Sequence, residues 1–109
     1  MTPKRNCVYW ANLDPVIRSE ISRTRPVVVI SDDMMNRNLN TVVVCPLTTS
    51  LHPKWRSRIQ ISMSGKQSEI AIDQIRTLSI RHLGDQLGKL SPAEALKVRI
   101  LVKEMYGES

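Results

Sequence analysis

The stretch RPVVVISDDMMNRNLNTVVVCPL, residues 25–47, decides the fold class of this chain. It contains two runs rich in β-branched residues, at 25–31 and 41–47, separated by a polar, asparagine-rich segment. Continuous β-branched runs are typical of strands that are covered on both faces. The sequence therefore predicts two buried strands at the centre of a mainly β protein.

Three further strands are predicted around this pair, at residues 7–13, 56–63 and 69–78. The first ends at Asp14-Pro15, a common turn opener. The second alternates strictly between apolar and polar side chains, which predicts a half-buried strand, and Ser64-Gly65-Lys66 then turns the chain.

After residue 90 the spacing of the apolar residues changes from that of a strand to that of a helix, which predicts a C-terminal helix. Ser91-Pro92-Ala93-Glu94 has the pattern of a capping box with proline at the first helical position, and good helix formers continue to about Tyr106, before Gly107. This helix carries an apolar stripe that must pack against another apolar surface; it consists of Ala95, Val98, Val102 and Met105, flanked by Leu101. Five strands and this helix predict one domain over residues 1–109, a small, curled, mostly antiparallel barrel.

Composition narrows the class of protein. The chain has 109 residues, with 41% hydrophobic and 24% charged residues, which excludes the low-hydrophobicity composition of disordered chains. Its net charge of +6 and pI near 9.8 favour a polyanionic partner, with nucleic acid first and an acidic protein second.

Location and redox state also follow from the composition. The charge-free stretches, such as residues 41–51, are too short and too polar for a span of about 20 apolar residues, and residues 1–6 have no signal-peptide core. We therefore expect a cytoplasmic protein. Cys7 and Cys45 lie in predicted strands without metal-ligand spacing, so we expect two reduced, buried thiols.

A series of short motifs resembles the MazF/PemK family of toxin endoribonucleases over nearly the whole chain. They occur in the family's order and at compatible spacings: Val8-Tyr9-Trp10, Leu13-Asp14-Pro15, Ser19-Glu20, Arg25-Pro26 with the strand that follows, Asn36, Pro46-Leu47-Thr48-Thr49, Asp73-Gln74-Ile75-Arg76-Thr77, Leu83, and Leu87-Gly88-Lys89-Leu90 before Ser91. The resemblance implies a dimeric SH3-like barrel that cleaves single-stranded RNA at short sequences, needs no metal or other cofactor, and is inhibited by a cognate antitoxin through an acidic C-terminal segment.

The resemblance also implies the catalytic residues. Arg25 and Thr48 match the family's principal catalytic pair. In cleavage by the ribose 2′-OH, which leaves 2′,3′-cyclic phosphate and 5′-OH ends, an arginine can stabilise charge on the phosphate and a threonine can donate a hydrogen bond. Glu20 either accepts the proton or orients Arg25 through an ion pair, and we favour the orienting role.

A second group of residues is predicted to bind RNA: Arg18, Ser19, Arg23, Thr49, His52, Trp55, Asp73 and Gln74. Trp55 lies between Lys54 and Arg56, so it is either a base-stacking platform or an anchor of its loop. Asp73 matches an acidic position of some family members. However, Ala71 stands where the PemK branch has an arginine, and the alternative role of Asp73 is a hydrogen-bond network that braces the first loop.

The loop between the first two strands departs from the family pattern. Residues 16–24 are charged, lack an apolar period, and should be exposed, but Ile21-Ser22-Arg23-Thr24 replaces a glycine-containing segment. This change bears on which RNA sequence is recognised. Two other functions remain open: a toxin of the same architecture that binds DNA gyrase without catalysis, and an inactive RNA-binding module.

Overall fold

The computed structural model describes residues 2–13 and 24–107. The elements are β1 (Cys7–Asn12), β2 (Thr24–Val29), α1 (Asp33–Asn38), β3 (Thr41–Thr48), β4 (Arg58–Met63), β5 (Lys66–Ala71), β6 (Arg76–Ser79), β7 (Leu83–Lys89) and α2 (Pro92–Tyr106), with single 3₁₀ turns at Ile72–Gln74 and Ile80–His82. All the strand pairs are antiparallel, in the order β4-β5-β3-β2-β1-β7, and β6 also pairs with β3. The fold is therefore mainly β with a C-terminal helix, as predicted.

Strand β3 is shared between three partners and divides the sheet. Its first half pairs with β6, and Val44 to Pro46 pair with β2. Its last two residues, Leu47 and Thr48, pair with β5 instead. Pro46 has no N–H to donate, and it stands where β3 leaves β2.

Two hydrophobic clusters lie on opposite faces of the central strands. One cluster lies on one face and contains Cys7, Tyr9, Ala11, Val27, Val29, Val42, Val44 and Leu78. The other, which includes Val8, Val28, Cys45, Leu47, Ile59, Ile61, Ile70 and Ile72, packs against Ala95, Val98 and Leu101 of α2. The two runs of the opening stretch are thus covered on both faces, which explains their lack of alternation.

The β4–β5 hairpin has a two-residue turn with positive φ at both positions, 53° at Ser64 and 77° at Gly65. This is the geometry of a type I′ turn, whose twist matches that of the flanking strands. The turn pairs Met63 with Lys66 and so fixes the register of the hairpin down to Gln60 opposite Glu69.

Helix α2 begins and ends as predicted. The Ser91 hydroxyl accepts a hydrogen bond from Glu94 N (3.1 Å), the Glu94 carboxylate accepts one from Ser91 N (2.8 Å), and the Gly107 N–H donates to Lys103 O. The predicted stripe is buried only in part, since Val102 is half-buried and Met105 is 37% exposed. Tyr106 closes the last turn by donating to Ile72 O (2.8 Å).

The prediction of five strands was wrong, because residues 2–13 and 24–107 already form a sheet of seven strands. The predicted strand 69–78 is interrupted by the 3₁₀ turn at Ile72–Gln74 and continues as the separate strand β6. Strand β7 was missed because its glycines and Asp85 are poor strand formers. Helix α1 was also missed; it lies in the asparagine-rich segment, and Asp32 caps it by accepting from Met35 N (2.8 Å).

Both cysteines are buried, as predicted, and neither forms a disulfide. Burial, with a smaller contribution from Asp73, raises the pKa of Cys45 to about 12, so this thiol is protonated at neutral pH. Among the described residues, 2–13 and 24–107, no helix is long and apolar enough to cross a membrane.

Candidate active site

Arg25 lies on β2 and pairs with Ala11 of β1. The pairing of β2 with β3 ends at Val27 and Pro46, where β3 departs toward β5. Arg25 precedes Val27 by two residues on β2, and Thr48 follows Pro46 by two residues on β3. Because the two strands are antiparallel, Arg25 and Thr48 lie at equivalent levels, just beyond the last pair, where the strands separate. Both are half-buried, so each side chain remains accessible. The two residues predicted to be catalytic therefore flank the point at which the sheet opens.

Thr48 is held at the end of β3 by the chain that follows it. Its hydroxyl oxygen accepts a hydrogen bond from Ser50 N (3.0 Å). Because a hydroxyl can accept and donate at the same time, its proton remains able to donate to a further group. Thr49, the next residue, is exposed at the same strand end.

The segment 49–57 carries two of the predicted RNA-binding side chains. The rings of His52 and Trp55 stack with centroids 3.9 Å apart and an angle of 11° between their planes. The guanidinium carbon of Arg58 lies 4.7 Å from the Trp55 ring centroid. Trp55 is still 49% exposed, so part of the indole remains accessible to a base. These contacts anchor the Trp55 side chain, and its role as a base-stacking platform stays a prediction.

Beneath this segment lies a charged network that was not predicted from the sequence. Arg58 donates to Glu69 Oε2 from Nη1 (2.6 Å) and to Asp73 Oδ1 from Nε (2.8 Å). The side chains of Arg58 and Glu69 are 5% and 0% exposed. The other oxygen of Glu69 accepts from Gln60 Nε2 and from the backbone N of His52, both at 2.7 Å. Within the described chain, every buried side-chain nitrogen and oxygen has a hydrogen-bond partner.

These contacts determine the charge states of the network. Burial opposes ionisation of Glu69, but the hydrogen bonds from Gln60, His52 and Arg58 outweigh it and lower its pKa below the ordinary value. The hydrogen bond from Arg58 is the largest cause that lowers the pKa of Asp73, and Ser57 adds a second donor. Both carboxylates are therefore ionised at neutral pH, and Arg58 is their shared cation.

A signal for this network was present in the sequence. The two-residue turn at Ser64-Gly65 fixes the hairpin register, and that register places Glu69 opposite Gln60. Glu69 is also the cross-strand partner of Thr48 on β3. Thr48, Glu69 and Gln60 therefore form a row across three strands on one face of the sheet.

Asp73 and Gln74 lie in the 3₁₀ turn after β5 rather than in a strand, which corrects the prediction of their setting. The side chain of Asp73 is 33% exposed, and Gln74 is exposed. Another residue of the same motif, Arg76, donates to Leu13 O (3.2 Å) at the end of β1. It therefore braces the chain where the first loop departs.

The remaining predicted site residues, Arg18, Ser19, Glu20 and Arg23, lie outside the described residues. Of the rest, the structure joins His52, Trp55 and Asp73 through Arg58 and Glu69, and it sets Thr48 beside Glu69 in the sheet. Across residues 2–13 and 24–107, no three His, Cys, Asp or Glu side chains are grouped in a way that could hold a metal ion.

Residues 4–106 match the model of the PemK-like, MazF-like toxin family of type II toxin-antitoxin systems. The chain belongs to this family. It is 35% identical over 100 residues to the Endoribonuclease MazF of Staphylococcus epidermidis, covering 87% of this chain and 83% of the relative. It is also 35% identical over 95 residues to the Endoribonuclease EndoA of Bacillus subtilis, covering 83% of this chain and 82% of EndoA.

Solved structures of toxins in this family have the same fold. A mycobacterial endoribonuclease in complex with its cognate antitoxin superposes with a TM-score of 0.79 at 26% identity, over 99% of this chain and 96% of the other. MazF from Deinococcus radiodurans gives a TM-score of 0.81 at 22% identity, with 99% of both chains covered. The predicted fold class and the resemblance to MazF and PemK toxins are thus confirmed.

Proposed function

We propose that this chain is a toxin that cleaves single-stranded RNA at a specific short sequence, without a metal ion. Its family membership supports the general activity, because the curated relatives named above are endoribonucleases. The observation that carries the finer proposal is the equivalent level of Arg25 and Thr48 where β2 and β3 separate. A cation and a hydroxyl donor then face the same opening.

In the proposed reaction the ribose 2′ oxygen attacks the adjacent phosphorus while the bond from phosphorus to the 5′ oxygen breaks. The 2′ proton passes to a base, and the departing 5′ oxygen receives a proton, which leaves 2′,3′-cyclic phosphate and 5′-OH ends. Arg25 stabilises the charge that accumulates on the phosphate oxygens, since its guanidinium stays charged at any physiological pH. Thr48 donates a hydrogen bond to the same phosphate, and Glu20 orients Arg25.

RNA is held beside this centre by the 49–57 segment. The exposed part of Trp55 offers a stacking surface, and the exposed Lys54 and Arg56 on either side supply positive charge for phosphates. Thr49, His52, Asp73 and Gln74 complete the proposed RNA-binding surface in the described part of the chain. Arg18, Ser19 and Arg23 would contribute from the first loop.

Two protein partners belong to the proposal. A cognate antitoxin with an acidic C-terminal segment would bind the basic toxin, whose net charge is +6. Related toxins have been solved with their antitoxins, which supports this partner. A second copy of the chain would cover apolar side chains that α2 leaves exposed, such as Leu96 (47%) and Ile100 (51%). The proposed place of action is the cytoplasm.

The test is cleavage of a long, sequence-diverse single-stranded RNA by antitoxin-free protein in excess EDTA, with the fragment ends mapped. We expect cuts at one short sequence with 2′,3′-cyclic phosphate and 5′-OH ends. Arg25→Ala and Thr48→Ala should each lower the rate by about 100-fold or more. Arg37→Ala removes an exposed arginine on α1, which lies between the end of β2 and the start of β3, at the opposite end of these strands from Arg25 and Thr48. It is the matched control and should cleave normally.

Three outcomes contradict the proposal in different ways. An absence of cutting by folded wild-type protein would favour a toxin that acts by binding, and a gyrase-binding assay would then examine that function. RNA binding without cutting would indicate an inactive RNA-binding module. Cutting that requires an added divalent cation would refute the metal-independent mechanism.

A further inference from the structure

The carboxylate of Glu69 is the most deeply buried charged group among the described residues, at 0% exposure. Its two oxygens accept three hydrogen bonds, from His52 N, Gln60 Nε2 and Arg58 Nη1. Ionised carboxylates are rarely buried unless they are fully paired, because desolvation is costly. Glu69 meets this condition through groups from two different parts of the chain.

Of the three hydrogen bonds that the Glu69 carboxylate accepts, the one from His52 N comes from outside the β4–β5 hairpin. Gln60 and Arg58 are neighbours of Glu69 within the β4–β5 ladder, whereas His52 belongs to the segment that leaves β3 after Thr48. This segment, 49–57, forms no strand, and its end is tied by a backbone hydrogen bond from Ile72 N to Ser57 O (3.0 Å). The bond of 2.7 Å from its backbone to Glu69 therefore anchors it to the sheet.

Arg58 extends the anchor to the exposed side chains. All three guanidinium nitrogens are in use, since Nη1 contacts Glu69, while Nε (2.8 Å) and Nη2 (3.4 Å) contact the two oxygens of Asp73. The face of the same guanidinium lies against the Trp55 ring. Glu69 thus fixes Arg58, and Arg58 fixes the orientation of Asp73 and Trp55 together.

We propose that Glu69 is a positioning residue for RNA recognition, which through His52 and Arg58 holds the 49–57 segment, the His52–Trp55 stack and the Asp73 carboxylate in one arrangement before RNA binds. This inference rests on the proposed endoribonuclease function. A preformed surface loses less conformational entropy on binding, and it accepts a matching base better than a mismatched one. Glu69 itself does not touch RNA, because it is fully buried.

The test is Glu69→Gln, which preserves the shape of the side chain. The glutamine keeps one acceptor oxygen, but its NH₂ group then faces a donor, either Arg58 Nη1 or the pair His52 N and Gln60 Nε2, so at least one donor of the network loses its partner. We expect amide hydrogen exchange across residues 49–57 to accelerate by about tenfold. We also expect KM for the preferred RNA to rise, and discrimination against single-base mismatches to fall, each by about tenfold, with kcat nearly unchanged.

Glu104→Gln is the matched control. It removes a glutamate that also pairs with an arginine at 2.9 Å, but this pair is exposed, with side-chain exposures of 85% for Arg56 and 48% for Glu104. Hydrogen exchange, KM and mismatch discrimination should stay at wild-type values in this variant. If Glu69→Gln fails to fold, the double variant Arg58→Gln/Glu69→Gln, in which two amides can pair without a buried charge, takes its place.

The outcomes separate the positioning role from the proposed function. Wild-type protein that does not cleave RNA refutes the endoribonuclease, while hydrogen exchange across 49–57 still reports on the anchoring step. A folded Glu69→Gln variant with unchanged exchange overturns the positioning role. A uniform fall in kcat at all sequences, with KM and discrimination unchanged, overturns it as well, because it would indicate general damage to the fold.

Discussion

Replacing Arg58 by methionine should destabilise the protein by about 3 kcal/mol at pH 7. Methionine retains most of the volume of the arginine stem, so the main loss is the positive charge between Glu69 and Asp73. Removing one partner of a buried ion pair costs about 3–5 kcal/mol, since the other charge is left uncompensated. The low end applies because Glu69, although fully buried, keeps its hydrogen bonds from His52 and Gln60.

The assay is urea unfolding followed by circular dichroism, with thermal unfolding as a second measure. For a domain of this size the loss corresponds to a melting temperature lower by about 12 °C. Arg56→Met is the control, because Arg56 forms an exposed pair with Glu104 and should contribute less than about 1 kcal/mol. An Arg58→Met variant no less stable than Arg56→Met would refute the reasoning from burial.

The pH dependence gives an independent check with a defined sign. Glu69 and Asp73 have lowered pKa values in the folded protein, so each contributes stability that is present above its ordinary pKa, 4.5 for Glu and 3.8 for Asp. This contribution is lost as the pH falls through the folded pKa values. The difference between wild type and Arg58→Met should therefore be full at neutral pH and become smaller in acid. A difference that stays constant down to acid unfolding would contradict the electrostatic explanation.

Two further predictions concern the scaffold around the site. Asn36→Ala should lower the free energy of unfolding by about 2 kcal/mol, because the buried Asn36 amide accepts a hydrogen bond from Ser31 Oγ (2.6 Å) and donates one to Ser31 O (3.0 Å). Urea unfolding measures this loss. A change below about 0.5 kcal/mol, the usual range for surface substitutions, would contradict the prediction. Ser91→Ala should lower the free energy of unfolding by about 1 kcal/mol, because it removes the N-terminal cap of α2. Thermal unfolding measures this loss, and an unchanged melting temperature would mean that water replaces the cap without loss.

Much of the fold could be predicted from local pattern. The strands at residues 25–31 and 41–47, the turn at Ser64-Gly65 and the helix after Ser91 follow from side-chain types and capping rules, and each is present within a few residues. Strand β7 could not be predicted in this way. It contains two glycines and pairs with β1 through register shifts, so its strand conformation depends on the tertiary partner rather than on its own sequence.

The candidate site residues were proposed from the sequence on two grounds, and their roles stay predictions. Arg25 and Thr48 were singled out by the family resemblance, and Trp55 by an aromatic ring between two cationic residues. Glu69 could not be recognised alone, since an isolated glutamate in a strand is usually solvated. Its role emerges only from the hairpin register together with the return of His52 to the sheet, which is a contact between residues far apart in the sequence.

The same network limits the choice of proton acceptor in the proposed reaction. A general base works best when its pKa lies near the operating pH. Glu69 and Asp73 have lowered pKa values and are both committed to Arg58, so they are weak bases and serve as fixed hydrogen-bond acceptors. The proton of the 2′-OH must then go to a group outside this network. Glu20 is a candidate for that group, because the sequence left two roles open for it, orienting Arg25 and accepting this proton, and the orienting role stays the favoured prediction.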